Sequence, residues 1–219
     1  MNKLLKGTIK LSLALCIVSL TVQAKQPDAE SLPVLKQDDV HQVVAKRLTN
    51  FFTQAHYRNF ALDGAFSAKI FDRYFKMLDG SKAIFIQNDV DTFRNRQDSL
   101  GQELFSGNLK TAYDIYNLAM HKRYERYKYA LKVLQSPMDF STNDEIDFDR
   151  EDISWPTTEK ELDAYWDKRV KYDELSLSLS GKDENQIRET LTKRYKRVLK
   201  TIEQSNNEDA FQVLSLIHI

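Results

Sequence analysis

LKTAYDIYNLAMHKRYERYKYALKVLQ, residues 109–135, decides the fold class of this 219-residue chain. The stretch contains neither Gly nor Pro, and its apolar side chains recur every three or four residues, as on one face of an α-helix. That face comprises Ala112, Tyr113, Tyr116, Ala119, Met120, Tyr124, Tyr127, Leu131 and Leu134. Ser136-Pro137 ends the pattern, because proline disfavours a helical residue before it. The stretch therefore predicts one long amphipathic helix.

The same period continues on both sides of this stretch. The predicted helices cover about residues 38–55, 63–80, 88–107, 109–135, 158–181 and 183–204. The stripe of the first comprises Val40, Val43, Val44, Leu48, Phe51, Phe52 and Ala55. Only Ala83–Ile86 is a short extended run. The predicted fold class is mainly α: an irregular domain of about six helices with at most one short extended segment.

The composition agrees with a helical fold. Six Gly and four Pro are low counts, and no Pro occurs between Pro33 and Pro137, which argues against a turn-rich all-β fold or an open α/β enzyme. Apolar residues make up 42% of the chain and aromatic residues 11%, which argues against disorder.

The first 24 residues have the layout of a secretory signal peptide. Lys3, Lys6 and Lys10 precede the uncharged run Leu11–Leu20, and Val22-Gln23-Ala24 is a small-residue cleavage pattern. Two weaker alternatives are a permanent anchor, for which the run is too short, and lipidation at Cys16. Residues 1–24 are therefore expected to direct export to a bacterial periplasm.

Removal of this segment changes the charge and the cysteine count. It would leave 29 basic and 32 acidic residues and no Cys, so neither a disulfide nor a thiol nucleophile is expected. Residues 25–37 are interpreted as a polar lead-in and residues 38–211 as one helical domain, because no linker divides them.

Two basic and aromatic runs have the composition of nucleic-acid contacts. In residues 121–129 and 193–197 the aromatic rings fall on predicted core faces, and the cations are expected on the solvent side. A slightly acidic, exported chain also gives no electrostatic reason to bind nucleic acid. No nucleic-acid partner is predicted.

No catalytic, cofactor-binding or metal-binding residue is predicted. The acidic residues 144–152 do not fit a calcium loop, because Asp152 stands where an EF-hand needs Gly. The four His, His41, His56, His121 and His218, have no metal-binding spacing. No serine-hydrolase motif or glycine-rich phosphate loop is present, and no cofactor is expected.

Several collinear stretches, taken together, resemble the N-terminal region of the periplasmic tail-specific proteases, also called carboxy-terminal processing serine peptidases. They are SLPVLK (31–36), HYRNF (56–60), AFSAKIFDRY (65–74), YDIYNLA (113–119), PMDF (137–140), VKYDELSL (170–177), IRETLTKRYK (187–196) and NED (207–209). None is a catalytic motif, so the resemblance depends on their number and order over residues 31–211.

The resemblance implies an exported serine endopeptidase that recognises apolar C-terminal tails of proteins through a PDZ domain and cuts with a Ser–Lys dyad. Both parts lie downstream of the matched region in the family, so no catalytic residue is assigned. The implied partners are the downstream PDZ and protease domains, protein or peptide substrates, and a periplasmic adaptor. This chain is interpreted as a truncated, inactive portion of such a protease. The alternative is a self-contained periplasmic binding or adaptor module.

The last residues are expected not to be native. The resemblance ends near Phe211, and LSLIHI (214–219) matches the translation of a transposon end used in sequencing libraries. Residues 212–219 are therefore interpreted as a non-native tail, and the stripe of the last predicted helix is expected to lack packing partners.

Export predicts cleavage between Ala24 and Lys25. N-terminal sequencing of the exported product should begin at Lys25, because Val22-Gln23-Ala24 places small residues before that bond. A mature product that retains Lys3 and Lys6 would contradict the prediction.

Overall fold

The computed structural model describes residues 32–55 and 63–216, and within them the chain is mainly α, as predicted. The helices are α1 (Asp39–Ala55), α2 (Gly64–Leu78), α3 (Gln87–Asp91), α4 (Leu100–Ser106), α5 (Lys110–Val133), α6 (Glu159–Leu179), α7 (Glu184–Glu203) and α8 (Asn207–Ser215), with a 3-10 turn at Arg94–Arg96. These ranges include no β-strand and no helix with the length and apolar character needed to cross a membrane. The predicted signal peptide, His56 and His218 lie outside the described residues.

The predicted number of about six helices is slightly low. The third predicted helix is divided into α3, the 3-10 turn and α4, and α8 is an additional helix. Tertiary contact explains where α4 lies: the Gly101 backbone N–H donates to Ser67 Oγ of α2 at 3.1 Å. A Cβ at Gly101 would lie only 2.6 Å from that oxygen, so the close approach of α4 to α2 requires glycine there.

Residues 83–86, predicted to be extended, form no strand. They follow a turn that Asp79 holds together, because its carboxylate accepts the backbone N–H groups of Ala83, Ile84 and Phe85 at 2.8–3.0 Å. Asp79 is 3% exposed, and these hydrogen bonds satisfy a buried charge.

Two apolar clusters share α5. The larger contains aromatic residues of α2, such as Phe71 and Tyr74, together with the buried side of α4. The smaller joins the end of α5 to α6 and α7 through Leu162, Trp166 and Leu191. The Trp166 indole N–H donates to the Ala83 carbonyl at 2.7 Å, which links α6 to the turn after α2. The domain is thus assembled around α5.

The interpretation of residues 25–37 as a polar lead-in is wrong for its described part. Leu32 and Leu35 are 5% and 4% exposed and belong to the larger cluster. The Leu35 backbone donates to the Asn117 side chain and accepts from it, both at 2.9 Å. These two hydrogen bonds fix an extended segment on α5, so the packed domain begins earlier than residue 38.

The predicted stripe of the first helix does not match the buried face of α1. Val40 and Val43 are 59% and 46% exposed, whereas His41, Ala45 and Thr49 are buried. The buried residues recur every four positions, so they share one face. Polar residues occupy that face because His41 makes hydrogen bonds there, which spacing alone does not reveal.

Helix α8 packs on the domain, so the expectation that the last predicted stripe lacks partners is wrong. Phe211 and Leu214 are buried in the same cluster as Leu199 and Ile202 of α7. Residues 212–215, expected to be non-native, lie inside this packed helix. Their origin stays a prediction, and residues 217–219 lie outside the described part.

The α5–α6 loop, residues 134–158, is irregular as predicted, but its two halves differ. Residues 139–149 are exposed apart from the half-buried Ile146. Farther on, Trp155 packs on Phe75 and Phe85, with ring centroids 6.5 and 5.8 Å apart. The Gln87 backbone N–H donates to the Pro156 carbonyl at 2.8 Å. The second half is thus anchored to the core.

Limited proteolysis should distinguish the two halves of the loop. A protease that cuts after Asp and Glu should act first between Asp144 and Asp149, because exposed, irregular backbone reaches a protease site most easily. Glu125, exposed on α5, is the internal control, because helical hydrogen bonds protect its backbone. A first cut after Glu125, detected by mass spectrometry, would contradict the element assignment.

Candidate functional site

Of the two candidate histidines that the structure describes, His41 and His121, His41 joins three helices through its hydrogen bonds. Its Nδ1 accepts the Asp38 backbone N–H at 3.2 Å, which assigns the ring proton to Nε2. Nε2 lies 3.0 Å from a carboxylate oxygen of Glu208. The Tyr113 hydroxyl lies 2.8 Å from Nδ1 and 3.0 Å from the Asn207 carbonyl. The three side chains therefore join α1, α5 and α8.

The order carboxylate, imidazole, hydroxyl resembles a general-base relay, but its surroundings give it a structural role. His41 is 2% exposed, and the Phe211 ring stacks on it with centroids 4.4 Å apart. Burial raises the pKa of Tyr113, and the charges of Asp38 and Glu208 raise it further, so the phenol stays protonated. None of the surface hollows described for residues 32–55 and 63–216 is lined by His41 or Tyr113.

Ser81-Lys82 places a serine beside a lysine whose pKa is lowered by burial, which is the chemistry that a Ser–Lys dyad needs. The side chains are not arranged as a dyad. Lys82 Nζ lies 3.9 Å from the centroid of the Trp155 ring, a cation–π contact. Its described contacts include no hydrogen bond to a hydroxyl. This lysine therefore helps to anchor the α5–α6 loop.

The basic run 121–129 is only partly the solvated face that was predicted. Tyr124 is buried, as predicted, but Arg126 is buried too. Arg126 forms ion pairs with Glu159 and Asp163 at 3.0 and 2.5 Å, and Lys122 pairs with Glu159 at 2.7 Å. These cations lie between α5 and α6 and pair with carboxylates of α6, although Arg126 Nε is buried without a hydrogen-bond partner, and they are not displayed for nucleic acid.

The run 193–197 is closer to the prediction. Tyr195 is buried, and its hydroxyl donates to Asp173 at 2.6 Å, while Lys193, Arg194, Lys196 and Arg197 are exposed. This face of α7 is a solvated basic surface.

The acidic stretch 144–152 does not converge on a metal. Asp144 pairs with Lys171, Glu151 pairs with Lys76, and Asp147 accepts the backbone N–H of Asp149 at 2.9 Å. Among the residues that the structure describes, no group of three or more His, Cys, Asp or Glu is placed to hold a metal ion.

Three surface hollows border the α5–α6 loop. One of about 470 Å³ lies between Met77 at the end of α2 and Phe148. A second, of about 320 Å³, lies between Met138 and Ile187 of α7, and a third, of about 140 Å³, lies between Ile146 and Leu175 of α6. The described surface therefore has three hollows along one loop. Ser81 and Lys76 both line the first, but Lys76 pairs with Glu151, and the described hydrogen bonds include none from the Ser81 hydroxyl to a base.

The sequence interpretation did not identify this surface. Three apolar or aromatic side chains of α6, Tyr172, Leu175 and Leu179, are 46%, 40% and 80% exposed. Their spacing at i, i+3 and i+7 is the signal that could have revealed a second apolar face on α6.

A comparison with protein families identifies the domain. The family model described as "Tail specific protease N-terminal domain" matches residues 32–216, which is most of the chain. The chain belongs to this family. Its resemblance to the N-terminal region of these proteases, first indicated by short collinear stretches, is thereby confirmed.

A curated relative shows how much of the protein this domain represents. The "Tail-specific protease" of Haemophilus influenzae is 40% identical over 189 residues, which is 86% of this chain and 27% of the relative. The chain thus spans about a quarter of the length of that relative.

The structural role of the His41 contacts predicts a stability effect for Tyr113→Phe. Loss of the hydroxyl removes its hydrogen bond to the part-buried Asn207 carbonyl and should lower the free energy of unfolding by about 0.5–1.5 kcal/mol. Urea denaturation measures it. Tyr172→Phe is the matched control, because the exposed Tyr172 should change stability by less than about 0.5 kcal/mol. Equal effects of the two variants would contradict the assigned role.

Proposed function

We propose that this domain is the N-terminal helical part of an exported serine endopeptidase that degrades or processes proteins from apolar C-terminal tails. The observation that carries the proposal is the family match over residues 32–216, together with 40% identity to a tail-specific protease. The PDZ domain and the Ser–Lys dyad are assigned to other parts of a longer polypeptide. The relative is long enough for them, since the matched region is 27% of it.

The charged, apolar and small-residue layout of residues 1–24 supports a periplasmic location. The side-chain geometry supports a non-catalytic role for this part. Catalysis by a serine peptidase needs a nucleophile beside a base, with donors for the oxyanion. The strongest candidates for a catalytic base in the described residues make structural contacts instead. His41 is buried between helices, and Lys82 Nζ makes a cation–π contact with Trp155.

A second candidate function is a binding or adaptor module without enzymatic activity. The three hollows along the α5–α6 loop favour it, because they offer apolar and charged side chains to a partner. The two functions are compatible if the module serves a catalytic part elsewhere in the polypeptide.

A peptidase assay separates these functions. Two reporter proteins would be compared, one with an apolar C-terminal tail and one whose last residues are Asp. The 219-residue chain should cleave neither. The polypeptide extended by the downstream codons should cleave only the apolar-tailed reporter, because apolar tails are the proposed recognition element. An extended polypeptide without activity would favour the binding module.

Lys82→Met tests whether the lysine of lowered pKa takes part in that reaction. The extended polypeptide should keep its activity in this variant, because Lys82 Nζ contacts an aromatic ring rather than a hydroxyl. Loss of activity in a variant that remains folded by circular dichroism would overturn the assignment of the dyad to other parts of the protein.

A further inference from the structure

The solvent-facing side of α7 carries a row of cations. Residues 190–202 contain five Lys or Arg and neither Asp nor Glu, in a chain whose formal net charge is zero. The row is about 10 Å long and lies opposite Leu191 and Tyr195, which belong to the smaller apolar cluster. Four of the five cations are exposed within about 100° of the helix circumference, and they form the basic stripe: Lys193, Lys196, Arg197 and Lys200.

Most of the stripe is not neutralised within the domain. Lys193 pairs with Glu189, and Arg194, which lies beside the stripe, pairs with Asp173 of α6. The other three stripe cations face solvent without a carboxylate among the ion pairs described for residues 32–55 and 63–216. They are Lys196, Arg197 and Lys200.

Acidic side chains bound the stripe at both ends. Glu189 lies one turn before Lys193, and Glu203 lies three residues after Lys200, where it accepts the Tyr124 hydroxyl at 3.1 Å. An extended peptide rises about 3.3 Å per residue, so the length of the stripe holds about three or four of its residues. A longer or broader anionic surface meets the acids at the ends. The stripe therefore fits a short acidic segment.

Membrane and nucleic-acid surfaces fit the stripe less well. A helix that lies on a membrane inserts apolar side chains, and every apolar residue of 190–202 is buried or half-buried. Single-stranded nucleic acid stacks its bases on aromatic rings, but the ring of Tyr195 is buried and its hydroxyl donates to Asp173. An acidic polypeptide needs only exposed cations at matching intervals.

We infer that the basic stripe of α7 docks a polypeptide segment that carries three or four closely spaced Asp or Glu side chains. The carboxylates pair with the three uncompensated cations, and the Arg197 guanidinium holds one of them through two N–H groups. Exposed charge pairs of this kind increase the association rate and exclude basic partners. The inference is independent of the proposed protease function, since it uses only the surface of this domain.

The test uses the 219-residue chain and three labelled decapeptides that differ only in a central block of four Asp, four Asn or four Lys. Fluorescence anisotropy should give a Kd at least about tenfold lower for the Asp peptide than for the other two, because only its charge complements the stripe. The Kd of the Asp peptide should rise with salt, because ions screen exposed charges. Equal binding of the Asp and Asn peptides, or no binding of the Asp peptide, would overturn the inference.

Two double variants of equal net charge locate the binding. Lys196→Gln with Lys200→Gln removes two cations of the stripe, whereas Lys46→Gln with Lys69→Gln removes two exposed cations of α1 and α2. The stripe variant should weaken binding of the Asp peptide at least about fivefold and the control less than about twofold, because salt screens distant exposed charges. Circular dichroism should show both variants folded, since Gln suits an exposed helix position as well as Lys does. Equal weakening by the two variants would show that net charge alone drives the binding, and the inference would be wrong.

Two other anions test the other classes of partner. Sedimentation with phosphatidylglycerol vesicles, and anisotropy of a labelled single-stranded oligonucleotide, should not distinguish the unchanged chain from the stripe variant. Binding of either anion that the stripe variant abolishes and the control variant keeps would assign the stripe to a membrane or to nucleic acid, and it would overturn the inference of an acidic polypeptide.

Discussion

The burial of α5 constrains the rest of this domain. Other helices pack along its length, and Arg126, which is buried among them, needs carboxylates nearby. Arg126 meets Glu159 and Asp163, which lie at the start of α6. Only the cation of each pair is buried, since the Glu159 and Asp163 side chains are 43% and 35% exposed. The ion pairs therefore hold the first turns of α6 against α5, and α7 packs against both helices.

Capping residues and glycines in the sequence predicted where several helices begin and end, because these ends are determined by residues of the helix itself. Thr158 caps α6 through the Glu161 backbone N–H, and Asp183 forms a capping box with Gln186, as such side chains do at helix starts. Gly107 caps the end of α4 with φ of 74°, and Gly181, just after α6, has φ of 86°. Both angles lie in the left-handed region that favours glycine. The apolar period of α5 predicted five of its buried residues, Ala112, Tyr113, Ala119, Met120 and Tyr124. It missed Ile115, Arg126 and Ala130, because α5 is packed on more than one side.

The features that the sequence did not predict depend on contacts between residues that lie far apart in the chain. The buried face of α1 follows His41, whose partners Tyr113 and Glu208 lie far along the chain. Leu35 is fixed by Asn117 on α5. The hollows beside the α5–α6 loop were not predicted for a related reason, because α6 has two apolar faces and the period does not say which one packs against the core. Only the assembled domain distinguishes them.

The second half of the α5–α6 loop is anchored to the core by contacts with distant residues. Arg150 donates to the Ser81 carbonyl at 2.9 Å and stacks on the Tyr165 ring, with Cζ 4.1 Å from its centroid. Trp155 holds the end of the loop in the core. The first half, residues 139–149, stays exposed apart from Ile146, so ordering it on binding would cost more conformational entropy than ordering the anchored half. The loop is therefore ordered from its α6 end, where contacts between distant residues hold it, rather than by signals in its own sequence.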